Sequence, residues 1–163
     1  MKLAAGRFRT NKWVILSIFG ISLLLIIIVF IVRALMFSYQ CNIIYNQVSA
    51  HAGNNDLAMH GEYNGEIVEI TYENRFPIWD TVSDKMVEFT SADKMPDEKP
   101  VTLSFEDGFL MELYPTDSKD LFVKHVNNDK VKYYYIKNTN YFDYLVKMVS
   151  LEGWSVANKS VNN

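Results

Sequence analysis

Three histidines, His51, His60 and His125, and one cysteine, Cys41, are the residue types in this chain best suited to metal binding or nucleophilic chemistry. The histidines have neither the i, i+4 spacing nor the short Cys/His spacing of a zinc site. Glu62 lies close enough to His60 in sequence to share an ion with it, but a solvated loop is the simpler interpretation. We therefore predict no metal site.

The sequence also lacks the patterns of a catalytic nucleophile. It contains no Gly-x-Ser-x-Gly elbow, no phosphate-binding glycine-rich loop and no dinucleotide fingerprint. Glu106 and Asp107 are adjacent carboxylates, but with Gly108 they have the composition of a turn. We expect no enzymatic activity, no cofactor and no catalytic residue, and an envelope hydrolase with an unrecognised site is kept as an alternative.

Tyrosine is the one side chain with an unusual distribution. All ten tyrosines lie from Tyr39 onward, and five of them fall within residues 133–144. Tyrosine is favoured at interfaces because it combines a large contact area with a polar group, although it is also a good strand former. On a strand, Tyr134 and Lys132 share one face, opposite Tyr133 and Tyr135. We predict Lys132 and Tyr134 as the interaction surface, on condition that their face is exposed to solvent.

Residues 13–37 predict where in the cell the chain lies. Residues 13–32 are 20 consecutive residues without a charge, Pro, Asn or Gln. At a rise of about 1.5 Å per residue this helix is about 30 Å long, which matches the hydrocarbon core of a bilayer. Trp13 and Phe37 fall near the two interfaces, where aromatic rings tend to settle. We predict a transmembrane signal anchor over residues 13–37, embedded in the lipid bilayer.

The flanking charges predict the orientation of this segment. The chain has a net charge of −3, but residues 1–33 contain five basic residues and no acid, and the next basic residue after Arg33 is Arg75. The positive-inside rule places residues 1–12 in the cytoplasm and the bulk of the chain outside the plasma membrane. All 19 acids lie in the outer part, which argues against nucleic acid as a partner.

Beyond the apolar run, Ala50-His51-Ala52 and Cys41 each allow two interpretations. Ala50-His51-Ala52 has the composition of a signal-peptidase site but lies far past the apolar run, so an uncleaved anchor is favoured over cleavage near Ala52. Cys41 is the only cysteine, so it forms no intramolecular disulfide. It is either a small apolar side chain at the membrane edge or half of an intermolecular disulfide between two parallel helices.

Residues 38–61 are predicted to form a juxtamembrane stalk and linker. Residues 35–52 contain no Gly or Pro, and Cys41, Ile44 and Val48 share one helix face. Residues 53–56, Gly-Asn-Asn-Asp, have strong turn chemistry and are expected to end the helix.

Residues 62–153 are predicted to form an extracytoplasmic α+β domain. Asp107-Gly108 between two alternating apolar runs predicts a β-hairpin, and Asn127-Asn128-Asp129 predicts a second one. Strands are predicted over residues 67–72, 76–78, 101–105, 109–114, 121–126 and 130–136.

Helix signals complete this domain. Asp80 is predicted to cap a helix that ends near Ser91, with Val82, Met86 and Phe89 on its inner face, and Asn140 to cap a second helix that Gly153 ends. The order β-β-α-β-β-β-β-α predicts a small antiparallel sheet with two helices packed on one face, and residues 154–163 are predicted to be a flexible tail.

This order of elements, with Tyr133-Tyr134-Tyr135-Ile136 near its end, resembles the small extracytoplasmic domains of uncharacterised single-pass membrane proteins of Gram-positive bacteria. The resemblance covers residues 66–153 and is one of pattern, without a diagnostic motif. It implies an α+β domain outside a plasma membrane. It implies no catalytic residue, because those families have no established chemistry.

These features predict a non-enzymatic, membrane-anchored interaction module of the accessory, immunity or sensor type. Its partner would be a protein or peptide outside the membrane. The main alternative is a self-associating structural component of an envelope assembly, in which Cys41 and the helices would join a homo-oligomer.

Overall fold

The computed structural model describes residues 12–75, 78, 85–118, 120–137 and 140–150. A 3-10 helix (Ala92–Lys94) precedes the fourth strand, and residues 72–75 and 78 are helical. The elements are, in chain order, helix α1 (Lys12–Ala52), strands β1 (Met59–Tyr63), β2 (Glu66–Ile70), β3 (Met86–Thr90), β4 (Val101–Phe105), β5 (Leu110–Tyr114), β6 (Asp120–Asn127) and β7 (Lys130–Lys137), and helix α2 (Tyr141–Val149).

The chain separates into two compact units, Met1–Tyr39 and Gln40–Asn163. In the first unit, the large apolar side chains of residues 13–32 are between 46% and 77% exposed. Helix α1 is long and apolar enough to cross a membrane, and the mean hydropathy of its most apolar window is 3.3. It is the only such helix among the described residues. The first unit therefore has the length and composition of a single membrane anchor.

The second unit is built on one seven-stranded antiparallel sheet with the order β2-β1-β4-β5-β6-β7-β3. The predicted α+β class is confirmed. Both predicted hairpins are present as β4–β5 and β6–β7. A further hairpin joins β1 to β2, where Asn64 and Gly65 have φ angles of 53° and 85°. This pair of positive φ angles is the geometry that a type I′ hairpin turn requires.

The hydrophobic core lies between one face of the sheet and two helical segments. Ile44 and Val48 of α1 and Leu145 and Val149 of α2 are at most 2% exposed and belong to one cluster with the strands. The buried strand residues of this cluster alternate along the chain, as one face of a pleated sheet requires. They are Met59, Val68, Ile70, Val101, Leu103, Phe105, Met111, Leu113, Leu121, Val123, Tyr134 and Ile136.

The last turns of α1 therefore differ from a stalk. Residues 38–61 are predicted to link the anchor to the domain, yet Ile44, Val48 and Ala52 are buried and β1 already begins at Met59. The helix does end at the predicted turn: its last residue is Ala52, and the Asn54 N–H donates to the His51 carbonyl three residues earlier. A helix face with apolar residues at i, i+4 and i+8 is the pattern of a surface helix packed on a core.

His51 attaches the end of α1 to the β4–β5 hairpin. Its Nε2 lies 2.9 Å from the Asp107 carboxylate, and its Nδ1 lies 2.6 Å from the Gln47 carbonyl. The ring also stacks on Phe109, with 4.1 Å between centroids. These contacts place the helix end within the folded domain.

The predicted helix over residues 80–91 is wrong in its second half. Met86–Thr90 is the edge strand β3, which pairs with β7, whereas Asp80 and Val82 lie outside the described residues. The register shifts between Met86 and Glu88, so Met86 pairs with Ile136 and Phe89 pairs with Tyr134. Because a β-bulge adds one residue, apolar side chains three positions apart return to the same face. That spacing imitates the periodicity of a helix.

The first strands also differ from the prediction. The strand predicted over residues 67–72 is β2, which ends at Ile70, and β1 precedes it unpredicted. At the predicted strand of residues 76–78, Ile78 is helical, and Phe76 and Pro77 lie outside the described residues. The chain turns before it, because the Asn74 N–H donates to the Thr71 carbonyl at 3.0 Å. Helix α2 is confirmed, with Asn140 at its N-cap position, although the Asn140 side chain makes no cap hydrogen bond. The helix ends at Val149, before the predicted end at Gly153, and Gly153 and the predicted tail lie outside the described residues.

Candidate functional site

The face of the sheet opposite the core contains an aromatic cluster centred on Phe122. Phe122 is fully buried although it lies on this outer side, because tyrosine rings surround it. The ring centroids of Tyr114, Tyr133 and Tyr135 lie 5.9, 5.8 and 5.5 Å from that of Phe122, and two of the three contacts are edge-to-face. This geometry is favourable for aromatic pairs and holds the tyrosine rings in fixed positions.

The strand register determines which residues surround this cluster. Glu88 pairs with Tyr135, Phe122 with Tyr114, and Lys124 with both Glu112 and Tyr133. Further along the same side, Glu62 and Glu69 project from β1 and β2. We use the name aromatic face for the part of this side that is formed by Glu62, Glu69, Glu88, Glu112, Tyr114, Phe122, Lys124, Tyr133 and Tyr135.

A hydrogen-bonded network fixes the middle of the aromatic face. Lys124 Nζ donates to both carboxylate oxygens of Glu112, at 2.9 and 3.1 Å, and the Tyr114 hydroxyl donates to the same carboxylate. Burial, together with the Glu112 carboxylate, raises the pKa of Tyr114 well above its ordinary value. Tyr114 therefore remains a neutral hydrogen-bond donor, and the network positions side chains without producing a nucleophile.

The aromatic face is acidic. Glu62, Glu69 and Glu88 are exposed, whereas Lys124 is already paired with Glu112. Lys137, at the end of β7 on the same side, is the direct cross-strand partner of Asp120. An acidic surface with partly exposed tyrosines favours contact with Lys and Arg side chains, through charge attraction and through stacking of cations on aromatic rings.

The predicted interaction surface of Lys132 and Tyr134 requires correction. Tyr134 is fully buried in the core, and burial raises the pKa of its hydroxyl. The pair lies on the face that the helices cover, because Tyr134 alternates in phase with buried Ile136. The condition of solvent exposure is therefore not met. The tyrosines of β7 that reach the aromatic face are Tyr133 and Tyr135.

Lys132 instead lies at the rim of a cavity between α1 and the end of the β6–β7 hairpin. The cavity has a volume of about 210 Å³ and is lined by Ile43, Gln47, His125, Asn127, Lys130 and Lys132. His125 is the direct cross-strand partner of Lys132 and is 2% exposed. Burial and the charge of Lys132 lower the pKa of His125 to about 4.

Cys41 lies half-buried on α1 in the second unit. Burial raises the pKa of its thiol, which disfavours the reactive thiolate. The intermolecular disulfide stays a prediction.

Within the described ranges, no group of three or more His, Cys, Asp or Glu side chains is arranged to hold a metal ion. The three histidines lie in three different parts of the structure. His51 binds the hairpin of Asp107, His60 lies on β1, and His125 is buried on β6.

Comparison with known proteins gives no relative: no family model matches the chain, and no curated protein or solved structure matches it. The resemblance to Gram-positive extracytoplasmic domains therefore stays a prediction. The residues missed by the sequence analysis are Phe122, Tyr114, Glu112 and Lys124. The sequence signal for these four residues lies in the alternation of β5 and β6. The positions of both strands that face away from the core carry aromatic and charged residues, whereas alternation alone predicts polar residues there.

Proposed function

We propose that this protein is a non-enzymatic, membrane-anchored interaction module whose aromatic face binds a basic segment of a partner protein outside the plasma membrane. The observation that carries the proposal is the acidic, tyrosine-rich side of the sheet, opposite the side on which α1 and α2 pack. The partner is defined by its chemistry: it presents Lys or Arg side chains to Glu62, Glu88 and the tyrosine rings.

Three physical arguments support this surface as a binding site. Tyrosine is enriched at protein interfaces because two side-chain torsions fix a large contact area. Phe122 already restrains Tyr133 and Tyr135, so little further ordering is needed on binding. The exposed glutamates steer a basic partner toward the face and add specificity.

The anchor is supported by the apolar half of α1 and by the packing of its other end. Ile44 and Val48 contribute to the core of the second unit. Cleavage near Ala52 would remove these residues from the core, so the uncleaved anchor is the interpretation consistent with a folded domain. The basic residues before the apolar run support a cytoplasmic N-terminus and an extracytoplasmic domain.

The experiment is purification of the full-length tagged protein from native membranes in mild detergent, followed by quantitative mass spectrometry. The test variant is Glu62→Lys/Glu88→Lys, which reverses two exposed charges on the aromatic face. The matched control is Glu98→Lys/Glu106→Lys, which makes the same charge change at exposed loop positions. We expect a stoichiometric basic partner with the wild type and the control, and its loss from the test variant.

The proposal fails if the test variant and the control retain the same partners in the same amounts. It also fails if the protein purifies only as a lone monomer or as a homo-oligomer that both variants preserve. The latter result would favour the structural component of an envelope assembly.

A further inference from the structure

The cavity beside His125 has the composition of an anion site. Two lysines, Lys130 and Lys132, and two amide side chains, Gln47 and Asn127, line it, and no acidic residue is among the lining residues. Neither cavity lysine forms an ion pair with a residue in the described part of the chain, so neither charge is neutralised there.

His125 supplies the second, independent observation. Both ring nitrogens are buried, and neither has a hydrogen-bond partner among the described residues. A buried polar group without a partner costs about 1–3 kcal/mol, so such groups in folded proteins are normally satisfied by protein, water or a ligand. His125 lines the cavity beside Lys132. The rings of Phe109 and Tyr134 also contact it, and Met111 is its cross-strand partner on β5.

The groups facing His125 explain why an anion fits better than a cation. Lys132 projects from β7 on the same side of the sheet, and His51 on α1 adds to the same electrostatic environment. Both disfavour a positive charge on His125. An anion between Lys130, Lys132 and the imidazole would offset this repulsion and accept hydrogen bonds from lysine, amide and imidazole donors.

We propose that this cavity binds a phosphate-type oxyanion between Lys130, Lys132 and His125. The volume of about 210 Å³ is several times that of a water molecule, about 30 Å³, and therefore accommodates a polyatomic anion. Two sources share this chemistry, inorganic phosphate and the phosphate of a lipid headgroup. The second source is relevant because Ile43, in the cavity wall, follows the predicted membrane segment by less than about two helical turns.

The first arm of the experiment measures binding of radiolabelled inorganic phosphate to the full-length protein in maltoside detergent by equilibrium dialysis. The second arm measures the lipid phosphorus that remains bound per chain after purification from membranes. The test variant is Lys130→Gln/Lys132→Gln, and the matched control is Lys147→Gln, an exposed lysine on α2. Circular dichroism checks that each variant is folded.

We expect saturable binding of one phosphate, or retention of one phospholipid, per wild-type chain. Loss of two charge-assisted contacts is expected to reduce the affinity of the test variant at least about tenfold, whereas the control retains it. Binding of dialysed phosphate identifies a free ion as the ligand, and variant-sensitive lipid phosphorus identifies a headgroup. The proposal is overturned if neither arm detects binding, or if the test variant binds as well as the wild type.

Discussion

Val149 of α2 lies directly over Gly61 of β1. A Cβ atom at position 61 would come within 2.7 Å of Val149 Cγ2 and 3.1 Å of Ile70 Cδ1. Because Gly61 has no side chain, the helix approaches the sheet closely, and this contact determines how α2 covers β1.

Gly61→Ala is therefore expected to destabilise the domain by about 1–3 kcal/mol, as overpacking of a core does. The measurement is urea-induced unfolding in detergent, followed by near-ultraviolet circular dichroism of the tyrosines. In a Val149→Ala background the same substitution should cost clearly less, because the atom it meets has been removed. Equal costs in the two backgrounds would contradict this account of the contact.

The buried imidazole of His125 predicts a dependence of stability on acid. The pKa of His125 is lowered from 6.5 to about 4, so between these pH values the unfolded chain binds a proton that the folded chain does not. The contribution to stability is complete above about pH 6.5 and decreases as the pH falls toward 4, by up to about 3 kcal/mol.

This prediction is tested by comparing the wild type with His125→Phe across pH 4–8 in buffers without phosphate. The free energy of unfolding of the wild type should fall more steeply below pH 6.5, whereas the two curves should run parallel above pH 7. Parallel curves over the whole range would show that His125 is not responsible. Addition of phosphate should reduce the loss in acid if the anion occupies the cavity.

The packing of Ile44 and Val48 predicts where the domain begins. A variant that lacks residues 1–39 retains both side chains and should fold without a membrane. A variant that lacks residues 1–52 loses them and His51, and each buried aliphatic side chain contributes about 2–5 kcal/mol. That loss is comparable to the whole stability of a small domain, so the shorter variant should not fold.

Proton NMR spectra distinguish these outcomes. Dispersed amide signals are expected for the variant without residues 1–39 and collapsed signals for the variant without residues 1–52. If both variants gave dispersed spectra, residues 40–52 would be a linker and the core contacts of α1 would be dispensable.

Local patterns predicted much of this fold. Gly108, Asn128 and Asp129 have the positive φ angles that their residue types favour in turns, and the alternating runs beside them become the two predicted hairpins. Asn64-Gly65 contains the same signal and would have revealed β1, although His60 and Gly61 make that strand look polar. The bulge at β3 gave apolar residues a helical spacing, which local pattern alone does not separate from a helix.

The candidate site could not be predicted from the pattern of one strand, because it depends on contacts between elements that are distant in the chain. The alternation of β7 places Tyr134 opposite Tyr133 and Tyr135, but it does not say which side a helix covers. The covered side is determined by the packing of Ile44 and Val48, which lie some ninety residues earlier in the chain. His125 and Lys132 likewise become the wall of a cavity only when the two strands pair and α1 closes over them.

Site-specific photo-crosslinking on the aromatic face tests the central claim most directly. A photoreactive phenylalanine analogue replaces Tyr133 in the full-length protein in native membranes, and in a matched control it replaces Tyr144, a tyrosine 39% exposed on α2. The account predicts a crosslink from position 133 to a partner whose contact peptide is rich in Lys and Arg, absent from position 144. The same crosslinks from both positions, or none from position 133, would contradict it.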